Sequence, residues 1–252
     1  MQGCSTRRRM STIMLAAFIS VLAGYPAAAA PTGGGSSDSL AVPLQTATAA
    51  LTTTEPGAAT GLRSDVEFRA AQPWGRPYSV NNIAVRFPAG FTVDFSAVPI
   101  CRASDLELYL RGPGICADSI IGAATAKVDF GWPNSERIGG PYEQFLLGDG
   151  ELIIFENNQL GKPAADGFTL APLIFRTPLS DNGFSMFIPE GPSLALPDLL
   201  WALRSIELRF DDRGVFRTPD TCDPSGAWTL TVGFTYYMGA TDEVTTSLPC
   251  TG

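Results

Sequence analysis

Apolar and polar residues alternate with period two along much of the chain beyond residue 80. Ile83, Val85 and Phe87 fall on one side of a strand, with Asn82, Ala84 and Arg86 on the other. Phe91, Val93, Phe95 and Ala97 alternate with Thr92, Asp94 and Ser96, and Ile206, Leu208 and Phe210 with Glu207, Arg209 and Asp211. The longest run is Trp228, Leu230, Val232, Phe234, Tyr236 and Met238 against Thr229, Thr231, Gly233, Thr235 and Tyr237. Residues i and i+2 of a strand share a face, so each set is able to line the core side of a sheet. Val66–Ala70, Ile120–Phe130, Leu152–Phe155 and Phe168–Arg176 read as further strands, with Gly and Pro between most of them. Many strands on short connections predict an all-β, sandwich-like single domain over residues 61–252, or a related barrel.

Two segments depart from this pattern. Ser104 to Arg111 also alternates, but Ser104 is followed three residues later by Glu107, the capping box of a helix start. A short helix is predicted there, with Leu106, Tyr109 and Leu110 on one face. Pro197 to Leu203 reads as one helical turn feeding the strand from Ser205.

The first residues carry no strand pattern. Arg7, Arg8 and Arg9 precede a short apolar run from Ile13 to Ala23, and small residues follow up to Ala30. That is the layout of a secretory signal peptide, predicted over residues 1–29 with Ala27 and Ala29 before the cut. Residues 30–60 are dominated by Ala, Thr, Ser, Gly and Pro, with Asp38 and Glu55 as the charged positions. So little apolar surface predicts a low-complexity linker. The later apolar runs are too short for a membrane span, so no transmembrane segment is expected after signal removal.

Charge and composition narrow the function. Loss of the first thirty residues leaves 14 basic against 25 acidic side chains, a net charge of −11. Such a chain repels nucleic acid over long range. There is no histidine, and the lysines are Lys127 and Lys162. Triads that depend on imidazole and histidine-ligated metals are therefore excluded. Carboxylates remain for acid–base chemistry, as in glycosidases. No cofactor or metal is expected. Asp211-Asp212-Arg213-Gly214 reads as a turn that would need oxygens from elsewhere to hold calcium.

Four cysteines follow the signal: Cys101, Cys116, Cys222 and Cys250. Three pairings are open to them. An exported chain meets an oxidising compartment, and the local pairing, Cys101–Cys116 with Cys222–Cys250, is the one favoured. Pro99-Ile-Cys101, followed by Gly114-Ile-Cys116-Ala-Asp-Ser119-Ile-Ile-Gly122, resembles a recurrent unit of secreted actinobacterial proteins. That unit has a cysteine, a short spacer, then Cys-Pro-x-x-Ser-x-x-Gly; here Ala117 stands in place of the proline. The tail from Thr218-Pro219-Asp-Thr-Cys222 through Trp228 to Cys250 is similar to the same family. The resemblance covers roughly residues 80–252. It implies an extracellular β-rich domain with paired cysteines and supplies no catalytic residue.

Residues 129–143 form the candidate binding loop. Trp132, Asn134, Glu136 and Tyr142 set two aromatics among polar groups suited to a sugar or peptide. Trp74 and Tyr78 offer a similar pair. Glu151 and Glu156 flank a strand at an odd separation, which places them on opposite faces. Asp149-Gly150 reads as a hairpin turn. Leu248 to Gly252 matches the sortase pattern L-P-x-T-G, but Cys250 is better used in a disulfide. The reading is a secreted or envelope-associated, non-catalytic binding or structural protein. Its expected partner is a cell-wall glycan or another extracellular protein; the alternative is a carbohydrate-active enzyme using a carboxylate pair. N-terminal sequencing of exported protein is expected to begin at Ala30, within a residue or two. An intact Met1 in that fraction would refute the signal peptide.

Overall fold

The computed structural model describes residues 44–69, 77–129, 142–157, 172–188 and 202–252. Its elements in chain order are β1 (Gln45–Leu51), β2 (Ala59–Thr60), β3 (Leu62–Phe68), β4 (Val80–Arg86) and β5 (Thr92–Val93). Helix α1 (Asp105–Arg111) and a 3-10 segment (Pro113–Ser119) follow. Then come β6 (Ile120–Asp129), β7 (Tyr142–Leu147), β8 (Glu151–Asn157), β9 (Leu173–Ser180) and β10 (Gly183–Phe187). The chain ends with β11 (Ala202–Phe210), β12 (Phe216–Arg217), β13 (Ala227–Tyr236) and β14 (Thr241–Pro249).

The fold is all-β. Eleven strands form one antiparallel sheet in the order β1-β3-β11-β6-β7-β8-β9-β10-β4-β13-β14, and β2-β12-β5 form a small second sheet. The large sheet curls until its first and last strands lie side by side, nearly a barrel. At this seam Leu44 N donates to Asp242 Oδ2 at 3.3 Å, and the Tyr236 hydroxyl donates to Gln45 Oε1. Curling lets one sheet supply both walls of a single core. Inward positions are apolar and outward positions are polar, as in β3, where Arg63, Asp65 and Glu67 are exposed between buried Leu62, Ser64, Val66 and Phe68.

β1 corrects the expected extent of the linker. Residues 45–51 pair in register with β3, so the segment 30–60 has joined the domain by Gln45. Ala47, Ala49 and Leu51 pack inward. Composition misled because these small side chains meet bulky partners across the core, and the backbone ladder needs no side chain.

The two ends of the sheet differ. At one, Phe87, Phe91, Phe184, Phe210 and Phe216 stack with ring centroids 4.7–6.1 Å apart and plug the interior. Short turns lie here, including the Asp149-Gly150 hairpin, closed by Gly148 N to Glu151 O at 2.9 Å. Gly183 opens β10 at φ +119°, where an added Cβ would sit 1.9 Å from Val85 O, so only glycine fits. The connections through residues 70–76, 130–141, 158–171 and 189–201 all depart from strand ends at the opposite end, as the registers show.

The expected strand from Phe91 to Ala97 is reduced to Thr92–Val93. Asp94 Oδ1 accepts from Ser96 N at 2.8 Å and Ser96 Oγ at 2.6 Å, which turns the chain. β13 stops at Tyr236, and Met238 is exposed in the turn beyond. Ala202 and Leu203 open β11 rather than closing a helical turn, and residues 197–201 lie outside the described residues.

α1 forms as its capping box predicts. Ser104 Oγ accepts from Glu107 N, and Ser104 N donates to Glu107 Oε2 at 2.9 Å. The face is reversed, however: Leu106, Tyr109 and Leu110 are exposed, and Leu108 is buried. Leu108 packs with Leu146, Ile153 and Phe155 on the outer side of β7 and β8, as a second, smaller core. Arg176 of β9 ties this cap to the sheet, bonding Asp105 Oδ1 at 2.7 Å, Ala103 O at 2.7 Å and Glu151.

Both favoured cysteine pairs are present. Cys101–Cys116 has a Cα–Cα distance of 5.4 Å and clips the α1 segment over β7, where Cys101 N also donates to Leu147 O at 2.8 Å. Cys222–Cys250, at 5.6 Å, joins the approach to β13 to the end of β14. Among the described residues no helix is long and apolar enough to cross a membrane. Replacing Cys101 and Cys116 by alanine is expected to lower unfolding free energy by about 3 kcal/mol, and the second pair by about 3–4 kcal/mol. Denaturant titration of oxidised protein against each double variant measures this; loss below about 1 kcal/mol would contradict the entropic account.

Candidate functional site

The β7–β8 hairpin is packed on both faces. Phe145, Leu147, Leu152 and Ile154 point into the main core, while Leu146, Ile153 and Phe155 face the α1 cap. This is why the two strands read as continuous apolar runs. Following the inward face towards the ends away from the turn, the next residues are Glu143 and Glu156.

These two glutamates are cross-strand partners. Directly paired residues hold their Cβ atoms about 4.5–5.5 Å apart, so the two carboxyl groups occupy one small space. On β6 the residue opposite Glu143 is Ala124, with Ala126 next on the inward face. Short side chains there leave a void beside the glutamates. Among the described residues its other walls are Ala126, Ile154, Phe175, Met186, Phe187, Ile188, Leu203 and Ile206. The hollow leaves about 20 Å³, room for about one water-sized group.

Glu143 is buried, and its Oε2 makes no hydrogen bond. Burial pushes its carboxyl up to about 8, with the negative charge of Glu156 adding to the effect. At neutral pH Glu143 therefore holds its proton. No basic side chain lines the hollow among the described residues. Lys127 alternates to the outer side of β6, and Arg204 binds Asp129. The arrangement offers a hydrogen-bond donor and acceptors amid largely carbon walls.

The other candidates are placed as follows. Trp132, Asn134, Glu136 and Trp74 lie outside the described residues. Tyr142 opens β7 through its backbone, at the end of the sheet where the hollow lies. Tyr78 packs edge to face on Tyr236, with centroids 6.5 Å apart, as part of the seam. Glu151 and Glu156 are on opposite faces, as alternation predicts, and Glu151 serves Arg176. Asp211 pairs with Arg209 at 3.0 Å, and Asp212 accepts from Thr52 Oγ1 at 3.3 Å. Among the described residues no three His, Cys, Asp or Glu side chains gather as metal ligands.

The Glu143–Glu156 pair was not read from the sequence, although the signal was there. A two-residue turn at Asp149-Gly150 pairs residues equally distant from it, and Glu143 and Glu156 are both six away. No protein-family model, curated protein or solved structure matches the chain.

The raised pKa of Glu143 has a defined consequence for stability. The unfolded carboxyl ionises near 4.5, whereas the folded one keeps its proton to about 8. Between those values the folded state binds more protons, so stability falls as pH rises and levels off above about 8. The slope approaches about 1.4 kcal/mol per pH unit at most. Glu143→Gln is expected to remove this group's share of the decline and to make the protein more stable than wild type at pH 9. Urea unfolding from pH 5 to 9 tests it; parallel curves for the two proteins would contradict it.

Proposed function

We propose that this protein works outside the cytoplasm as a non-catalytic binding or structural protein of the cell envelope or extracellular space. The end of the barrel bearing the long connections is its binding face. The observation that carries this reading is the asymmetry of the sheet. One end is plugged by phenylalanines, and at the other the strands that border residues 70–76, 130–141, 158–171 and 189–201 end beside a hollow where Glu143 Oε2 makes no hydrogen bond. Loops on a rigid scaffold and the mouths of β-barrels are frequent sites of ligand binding. The leader-like N-terminus, the two disulfides and the polar outer face all suit export.

β6 ends and β7 begins at this end, and in this reading Trp132, Asn134, Glu136 and Tyr142 contribute to binding. Its partner is a cell-wall glycan or another extracellular protein. The facing Glu143 and Glu156 favour the alternative, a carbohydrate-active enzyme, since such enzymes work through a pair of carboxyls. Against that reading stand the carbon walls and a space for about one water between them. A sugar ring needs more room and polar partners.

Purified secreted protein is expected to be retained on a cell-wall fraction or glycan array without releasing reducing sugar. Trp132→Ala should weaken retention at least tenfold with the melting temperature unchanged. Turnover of a polysaccharide that Glu143→Gln or Glu156→Gln abolishes would establish the enzyme instead.

A further inference from the structure

We infer that a groove on the outer side of β1, β3 and β11 is a binding site for a sugar that bears a single carboxylate, such as a hexuronic acid. The groove adjoins Phe210, at the end plugged by phenylalanines, so the inference is independent of the binding face at the other end. Three observations converge on it.

The first is a pair of like charges. Arg63 of β3 and Arg209 of β11 are cross-strand partners, both at exposed outward positions. Like charges directly opposite one another cost stability. The row continues to Ala50 on β1 and Ala123 on β6, so no acid answers the arginines from the flanking strands of that row. Arg209 Nε reaches Asp211 Oδ1 at 3.0 Å, whereas Arg63 has no ion pair among the described residues. Two planar guanidinium groups side by side, one of them without a partner, suit the two oxygens of a carboxylate.

The second is space and its polar lining. The groove offers about 280 Å³, near the lower limit of about 300 Å³ for ligand pockets. Beside the arginines it is lined by Ala50, Thr52, Asp211 and Asp212. Asp212 Oδ2 accepts from Thr52 Oγ1 at 3.3 Å. A carboxylate accepts about four hydrogen bonds, so both aspartates keep acceptor capacity for hydroxyl groups.

The third is the order of charges along the strands. The next outward pair from the arginines is Asp65 and Glu207, and on the other side lie Asp211 and Asp212. The cationic stripe is therefore one row wide, and outward rows repeat about every 7 Å. One carboxylate fits within it. A phosphate dianion or a densely charged polyanion also meets the acids on either side and is repelled. An α-amino acid sets its ammonium beside its carboxylate, against the same guanidinium groups. One negative charge with several hydroxyls satisfies both the arginines and the aspartates, and a sugar acid has that composition.

Titration of the secreted protein at pH 7, followed by ¹H–¹⁵N NMR, tests this with D-glucuronate, D-glucose, acetate, glucose 6-phosphate and glycine. Glucuronate is expected to bind at least tenfold more tightly than each of the others, with the largest shifts around Arg63 and Arg209. Arg63→Gln should lower glucuronate affinity at least tenfold. Ala50→Glu, which sets an acid beside Arg63 and keeps both arginines, should abolish binding. Both positions are exposed, so neither substitution disturbs the core. The comparison of probes on the wild-type protein stands even where a variant fails to fold. Any of the other four probes binding as tightly as glucuronate, no glucuronate binding, or full affinity in Arg63→Gln would overturn the inference.

Discussion

The β7–β8 hairpin is squeezed between two cores, and much else in the molecule follows from that. On its inner side lies the interior of the curled sheet; on its outer side lies Leu108 of α1, held down by Cys101–Cys116. A strand pair with no solvent face must be apolar at nearly every position, and from Phe145 to Leu147 and Leu152 to Phe155 it is. Where that run ends, the next inward residues are glutamates. Glu143 inherits the burial of the hairpin without its chemistry, and Glu156 is half-buried beside it. A carboxyl carried into carbon surroundings opposite another carboxyl responds by holding its proton, as Glu143 does.

The asymmetry of the sheet gives that pair a context. A curled sheet needs its interior filled at both ends. The five phenylalanines, the small β2-β12-β5 sheet and Cys222–Cys250 fill and brace one of them. At the other, Ala124 and Ala126 replace the bulk that Ile121 and Val128 supply elsewhere on β6, and space remains.

Much of this architecture was legible in period-two alternation. Ile83 and Val85, Ile206 to Phe210, and Trp228 to Tyr236 fall on the inward faces that their spacing assigns. The helix start at Ser104 and the local cysteine pairing were also readable, because a capping box and short loops are local physics. Three features were not. β1 is built from Ala and Thr, whose composition resembles a linker until β3 lies beside it. The reversed face of α1 depends on what sits beneath it, which the pattern Leu106, Tyr109, Leu110 does not encode. The acidic pair depends on strand register, which the Asp149-Gly150 turn sets but single-strand alternation does not report.

The central claim is that the fold buries Glu143 opposite Glu156 and makes it a neutral acid at physiological pH. The most direct measurement is the side-chain carboxyl resonance of Glu143 by ¹³C NMR, assigned by its loss in Glu143→Gln and followed from pH 4 to 10. The account predicts a midpoint near 8, with a second shift in the Glu156 carboxyl as Glu143 ionises. A midpoint near 4.5 with no coupling to Glu156 would contradict it.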